Sequence, residues 1–170
     1  MDAQARSKSS FKTTSELATF GAGCFWHVEE TFRTQRGVLA TSVGYMGGDF
    51  EHPGYLDVLS RITGHAEAAQ IHYDPELVSY EQLLVIFWQC HDPTTLNRQG
   101  PDLGEQYRSV IFYHTPEQAI AAQTSKAKLT VSGTHPNPIV TEIKPAKDYW
   151  PATADHQQYF LKKQSQSLQR

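Results

Sequence analysis

A chain of 170 residues is one domain by length and can bury a core without disulfide or metal staples. Its 39% hydrophobic and 19% charged residues describe a folded, soluble composition rather than a disordered one. A net charge of -3 argues against nucleic-acid binding through bulk charge, no apolar run approaches the ~20 residues of a membrane span, and two cysteines exclude a disulfide-rich scaffold and Cys₄ or Cys₃His zinc sites.

Residues 1–15 are polar and lack an apolar stretch of the kind a secretory leader needs, so a disordered tail and a cytoplasmic location are expected. Leu17 to Gly21 reads as a buried strand ending at Gly21-Ala22-Gly23. A helix starts near Cys24, with Phe25, Val28 and Phe32 at i, i+3, i+7, and ends by Gly37. Val38 to Tyr45 is a second strand, Asp49 to Gly64 is loop-rich, and Glu67 to Tyr73 is a third strand. Ser79 and Gln82 form a capping box before a helix whose stripe is Leu83, Leu84, Phe87 and Trp88. His91-Asp92-Pro93 stops it, and Thr94 to Gln106 is a polar loop. Arg108 to Tyr113 is a fourth strand. Thr115-Pro116-Glu117-Gln118 starts a helix that runs to about Thr130. A last strand is expected at Ile139 to Ile143 and a short helix at Asp155 to Lys162. The order β-α-β-β-α-β-α-β is an α+β fold, a two-layer α/β sandwich of ferredoxin-like type with a mixed sheet and helices packed against it. The catalytic domain is expected to span 16–163, followed by a tail over 164–170.

Cys24 carries the most chemical information. It follows Gly23 at the start of a helix, where unpaired amides and the positive dipole end stabilise a thiolate and lower its pKa. Gly21 and Gly23 let a substrate approach the backbone. The bland alternative is a small buried hydrophobe. Phe25 and Trp26 are neighbours and do not share one helix face; two readings stand, both as core residues or one in the core and the other walling an apolar pocket.

Gly21-Ala22-Gly23-Cys24-Phe25-Trp26 with Val28-Glu29 resembles the signature of peptide methionine sulfoxide reductase type A. Further blocks follow in that family's order. They are Gly44-Tyr45-Met46-Gly47-Gly48, Tyr55 to Val58, Thr63-Gly64-His65-Ala66-Glu67, His91-Asp92-Pro93-Thr94, Gln99-Gly100-Pro101-Asp102, Gln106-Tyr107-Arg108-Ser109 and His156-Gln157-Gln158-Tyr159. Together they extend from Ala18 to Leu161. The resemblance implies that Cys24 is the nucleophile and Glu67 the acid. It makes Tyr55 and Tyr107 donors to the sulfoxide oxygen, and Phe25 and Trp26 the walls around the substrate methyl. Asp102, His156 and Tyr159 are its polar pocket residues, while Tyr45 reads as structural. A sulfoxide is a poor electrophile until its oxygen is protonated, so a thiolate and an acid at opposite ends of the S–O bond suit this chemistry. Glu67 would need a raised pKa, which burial beside aromatics supplies.

The implied activity is reduction of free and peptide-bound methionine-S-sulfoxide, a protein-repair step under oxidative stress, through a Cys24 sulfenic acid. No resolving cysteine stands near the carboxyl end of the sequence. Regeneration is therefore expected from an external thiol, namely thioredoxin, glutaredoxin with glutathione, or dithiothreitol, with no bound cofactor and no metal. Oxidised proteins, peptides and free methionine sulfoxide are the expected partners, along with the reductant. No nucleic acid or membrane is expected to bind, and the chain is expected to be a monomer. Cys90 closes an apolar helix and reads as a core thiol. Two residues depart from the family pattern: His27, where Gly is usual and where a charged ring would help ionise Cys24, and Arg61, in a stretch usually small. Three other readings were weighed. A thiol peroxidase or Cys-His hydrolase lacks a second motif. A metal module around His65, His72 and His91 lacks ligand spacing. A dead interaction domain conflicts with the intact Cys24, Glu67, Tyr55 and Tyr107.

Overall fold

The computed structural model describes residues 14–169, so the expected tail falls almost wholly outside the described residues. In chain order the elements are β1 (Glu16–Ala22), α1 (Phe25–Arg33), β2 (Val38–Met46), α2 (Tyr55–Leu59), β3 (Ala66–Tyr73), α3 (Tyr80–Gln89), β4 (Arg98–Gln99), β5 (Asp102–Leu103), β6 (Ser109–Tyr113), α4 (Pro116–Ser132), β7 (Glu142–Pro145), β8 (Trp150–Pro151) and α5 (Tyr159–Ser167). Short 3₁₀ turns occupy Glu105–Tyr107 and Ala154–His156.

Six strands make one sheet in the order β7-β6-β1-β3-β2-β8. Within it, β6, β1, β3 and β2 are antiparallel neighbours. With α1 and α3 as connections they form the ferredoxin-like β-α-β-β-α-β arrangement that the sequence order predicts. Helix α4 then carries the chain back to lay β7 parallel to β6, which makes the sheet mixed.

The burial pattern explains this layering. β1 is central, and Ala18 through Ala22 are all buried, so it reads as a continuous run rather than an alternation. Successive β3 side chains point to opposite faces. Ala66 and Ala68 pack with Met46, Val110 and Phe112 on one face. Ala69, Ile71 and Tyr73 face the helices and join Phe20, Phe32, Phe87 and Ala122 in the main core. Phe20 stacks on Phe32 at 5.3 Å and on Phe87 at 5.0 Å, which ties β1 to α1 and α3. Glu67 shares the helix-side face of β3 by the same alternation, at the strand end beside the start of α1. Both expected helix starts are present. Ser79 Oγ accepts from the Gln82 amide at 3.1 Å while the Gln82 side chain takes the Ser79 amide at 2.8 Å, and Thr115 Oγ1 accepts from the Gln118 amide at 3.1 Å.

Four boundaries differ from the sequence reading. Pro53-Gly54 reads as pure loop, yet α2 follows, its start fixed by Asp57 Oδ2 on the Gly54 amide at 2.8 Å. The loop after α3 contains the small β4–β5 ladder. The strand expected at Ile139 to Ile143 begins at Glu142, because Val140 spends its amide on Pro93 O at 2.9 Å instead of on β6. The final helix does not run from Asp155. A 3₁₀ turn comes first, the chain breaks at Gln158 in the left-handed region (φ 46), and α5 then continues past 163 to Ser167. Packing of Phe160 on His27 and of the Lys163 ammonium over Tyr159 at 4.7 Å carries the helix into the expected tail. Among the described residues no helix is long and apolar enough to cross a membrane.

Candidate active site

The site forms where β1 gives way to α1. Gly23 turns with φ 91, a conformation that favours glycine, and Cys24 then sits at the helix N-cap position, half-buried. The first amides of α1 are divided between two groups. The Phe25 amide donates to Glu67 Oε1 at 3.2 Å. Those of Trp26 and His27 act on the Cys24 sulfur and lower its pKa.

Burial outweighs that helix-end effect at Cys24. Desolvation, with the nearby carboxylates of Glu67 and Asp102 adding to it, pushes the thiol up to about 11. The lowered pKa expected from position alone is thus corrected: in the ligand-free fold the thiol holds its proton. Glu67 is shifted in the same direction. It is 3% exposed, and burial drives it up to about 8 against the opposing Phe25 amide, with the charge of Asp102 contributing. At neutral pH this carboxyl is mostly protonated.

That shift has a consequence for folding. A carboxyl raised from 4.5 to about 8 stabilises the fold fully below 4.5, and this contribution is lost as pH rises to about 8. Urea unfolding should show the wild type losing stability relative to Glu67→Gln across this window, by up to about 5 kcal/mol in all at 1.36 kcal/mol per unit. Parallel stability profiles would show that Glu67 titrates as an ordinary glutamate.

The remaining expected residues surround this pair. Tyr55 heads α2, and Tyr107 ends the 3₁₀ turn before β6. Both hydroxyls have raised pKa values, through burial first and then the charge of Glu67, with Cys24 and Asp102 also acting on both. One electrostatic neighbourhood therefore contains Cys24, Glu67, Asp102, Tyr55 and Tyr107. Phe25 points into the core, 1% exposed, and packs on Tyr45 at 5.7 Å. Trp26 is half-buried and packs against the same cluster as Phe25, its ring 5.7 Å from that of His156. Tyr159 stacks flat on Trp26 at 3.8 Å, and the indole N–H donates to His156 Nδ1 at 3.1 Å. His156 also lies 4.7 Å from the Tyr55 ring and 5.6 Å from Phe25. All nine expected site residues thus belong to one region.

Sequence reasoning missed part of it. Tyr45, which reads as structural, is a buried core residue, and strand pairing also sets it directly opposite Glu67 across β2 and β3, its hydroxyl without a hydrogen-bond partner among the described residues. Its register with Glu67 becomes visible only once the strands pair. Arg61, with φ 63, donates through its guanidinium to Leu103 O at 2.9 Å. It therefore links the turn after α2 to the strand that carries Asp102. The ring of His27 packs on Phe160 at 4.7 Å, and its backbone amide acts on the Cys24 sulfur. The thiol of Cys90 packs against the main core and donates to Phe87 O at 3.3 Å, and burial pushes it up to about 12. His65 is committed to the Gly48 amide and Phe50 O, and His91 to Phe87 O and Ser109. Among the described residues no group of three or more His, Cys, Asp or Glu is placed to hold a metal ion. A groove of about 780 Å³ between α4 and β7 is lined by none of the nine expected site residues.

Residues 16–170 match the family model described as peptide methionine sulfoxide reductase. The chain belongs to the peptide methionine sulfoxide reductase family. It is an oxidoreductase, and its reaction is the reduction of methionine sulfoxide. Peptide methionine sulfoxide reductase MsrA 1 from Nostoc sp. is 69% identical over 147 residues, which is 86% of this chain and 90% of that protein. Mxr1 from Saccharomyces cerevisiae, in its reduced form, superimposes with a TM-score of 0.83 at 32% identity, covering 88% of this chain and 86% of that one. Mxr1 in complex with Trx2 matches with a TM-score of 0.60 at 25% identity, covering 85% and 84%. Among peptide methionine sulfoxide reductases, then, the likeness extends across the whole sheet and both ends of the site.

Proposed function

We propose that this chain reduces the S epimer of free and peptide-bound methionine sulfoxide with Cys24 as nucleophile and Glu67 as proton donor. The observation that carries this reading is the sharing of one helix start by the Cys24 sulfur and a protonated, buried Glu67. Phe25 and Trp26 form the apolar wall for the substrate methyl, while Tyr55 and Tyr107 donate to the sulfoxide oxygen. Asp102, His156 and Tyr159 complete the polar side. As Glu67 gives its proton to the oxygen, the S–O bond weakens and Cys24 bonds to the sulfoxide sulfur while its own thiol proton passes to the Glu67 carboxylate. Proton transfer to oxygen also removes the electrophile's main deficiency, which lets a weakly acidic thiol react. The Cys24–sulfur bond then breaks as the hydroxyl passes to Cys24 as a sulfenic acid; the sulfoxide sulfur gains two electrons and leaves as methionine, and Cys24 is oxidised by two electrons.

An external thiol then forms a mixed disulfide with Cys24 and releases water. A second thiol sulfur displaces Cys24 and restores it. Thioredoxin fits this role on the strength of the Mxr1–Trx2 complex, with glutaredoxin or dithiothreitol as alternative donors. A role in protein repair, a cytoplasmic setting and a monomeric state belong to the same reading. Cys90 is left out of the cycle because its thiol is committed to Phe87 O within the core.

A single experiment tests the scheme. The two epimers are supplied separately for one turnover without reductant, and the protein is examined by intact mass and peptide mapping. Oxidation at Cys24 with the S epimer only, trapped as sulfenic acid, is the expected result. A Cys24–Cys90 disulfide would instead bring Cys90 into the cycle, and turnover of the R epimer would overturn the stereochemical assignment.

A further inference from the structure

Glu29 lies on α1, one turn after Trp26, and is 1% exposed. Among the described residues it forms no salt bridge, although a buried carboxylate without a cation is costly unless hydrogen bonds satisfy it. Three donors do so. Thr41 Oγ1 donates to Oε2 at 2.9 Å, the Gln158 amide to Oε1 at 2.7 Å and Gln158 Nε2 to Oε2 at 2.9 Å. Gln158 Nε2 also reaches Thr41 O at 3.1 Å. Two of the three donors belong to the residue that sits left-handed between His156 and Tyr159. An L side chain rarely adopts that conformation without outside restraint.

The geometry follows from helix periodicity. Residues i and i+3 share a face, so α1 offers Trp26 and Glu29 to the same partner segment. Trp26 stacks on Tyr159 and binds His156, while Glu29 grips the residue next to Tyr159. The neighbouring Gln157 adds a second anchor, bonding both the amide and the carbonyl of Val43 at 2.8 Å. Among the described residues, Glu29 is the one α1 side chain that hydrogen-bonds Gln158 itself.

We propose that Glu29 is a positioning residue: it locks Gln158 in the left-handed turn and so fixes His156 and Tyr159 against Trp26 as one side of the methionine sulfoxide pocket. The inference rests on the function proposed above for that pocket.

Glu29→Gln tests it, because the amide sets a donor against the Thr41 and Gln158 donors. The Michaelis constant for a methionine sulfoxide peptide should rise about tenfold while kcat stays within about twofold, the pattern of lost binding rather than lost chemistry. Alkylation of Cys24 by iodoacetamide should keep its wild-type rate and pH profile. Hydrogen exchange at residues 156–159 should quicken about tenfold, with β1 and β3 unchanged. Thr41→Val, which removes one donor, should give the same pattern at about threefold and serves if Glu29→Gln does not fold. Unchanged exchange at residues 156–159 would overturn the proposal. So would equal acceleration through β1 and β3, or an unchanged Michaelis constant despite faster exchange. If the wild type fails to turn over methionine sulfoxide, the functional reading falls, and the exchange data still decide whether Glu29 holds the turn.

Discussion

Exchange of Cys24 for serine should abolish methionine sulfoxide reduction with every donor, a loss on the order of 10⁴-fold or more. The reason is stricter than a weaker nucleophile. In the proposed reaction an oxygen atom passes to the attacking sulfur, and a hydroxyl oxygen offers no comparable stable oxidised state to accept it. Cys24 is half-buried and serine is close in size, so unfolding free energy should move by no more than about 1 kcal/mol. The measurement is methionine formation from the S epimer with dithiothreitol, thioredoxin and glutaredoxin in parallel, alongside urea unfolding. Residual turnover at more than about 1% of wild type would require a second nucleophile. Cys90 would be the residue to test next.

The second large effect is at Glu67. Removing the carboxyl in Glu67→Ala should lower kcat/KM by about 10³–10⁴, the upper part of the range for a general acid together with its hydrogen bond. Glu67→Gln should cost less, about 10², because the amide keeps the acceptor for the Phe25 N–H and still donates to the sulfoxide oxygen. It cannot deliver a proton. In the wild type kcat/KM should fall as pH rises through about 8, where the carboxyl ionises. Ionisation has two penalties: the proton is gone, and the new charge raises the Cys24 pKa further. The glutamine variant should lack this fall. A fall at the same pH in both proteins would assign the ionisation to another group.

Much of this site was legible in the sequence because its residues fall in contiguous blocks. Gly21 to Trp26 gives the strand end, the turn and the helix start in one stretch. The antiparallel core was readable from element order. Three things were not. The pKa of Cys24 depends on burial and on carboxylates brought from β3 and β5, so the local helix-end argument gave the wrong direction. The pairing of Tyr45 with Glu67 is a matter of strand register. The break at Gln158 depends on a glutamate 129 residues earlier in the chain. No local propensity marks a glutamine as left-handed; the contact that holds it is made only in the folded chain.

The division of the α1 amides between a thiol and a carboxyl joins the two reacting groups electrically. Any change that tilts or frays that first turn disturbs nucleophile and proton source in concert. Engineering one for greater reactivity therefore retunes the other, and gains sought at this position are best pursued as coupled double substitutions.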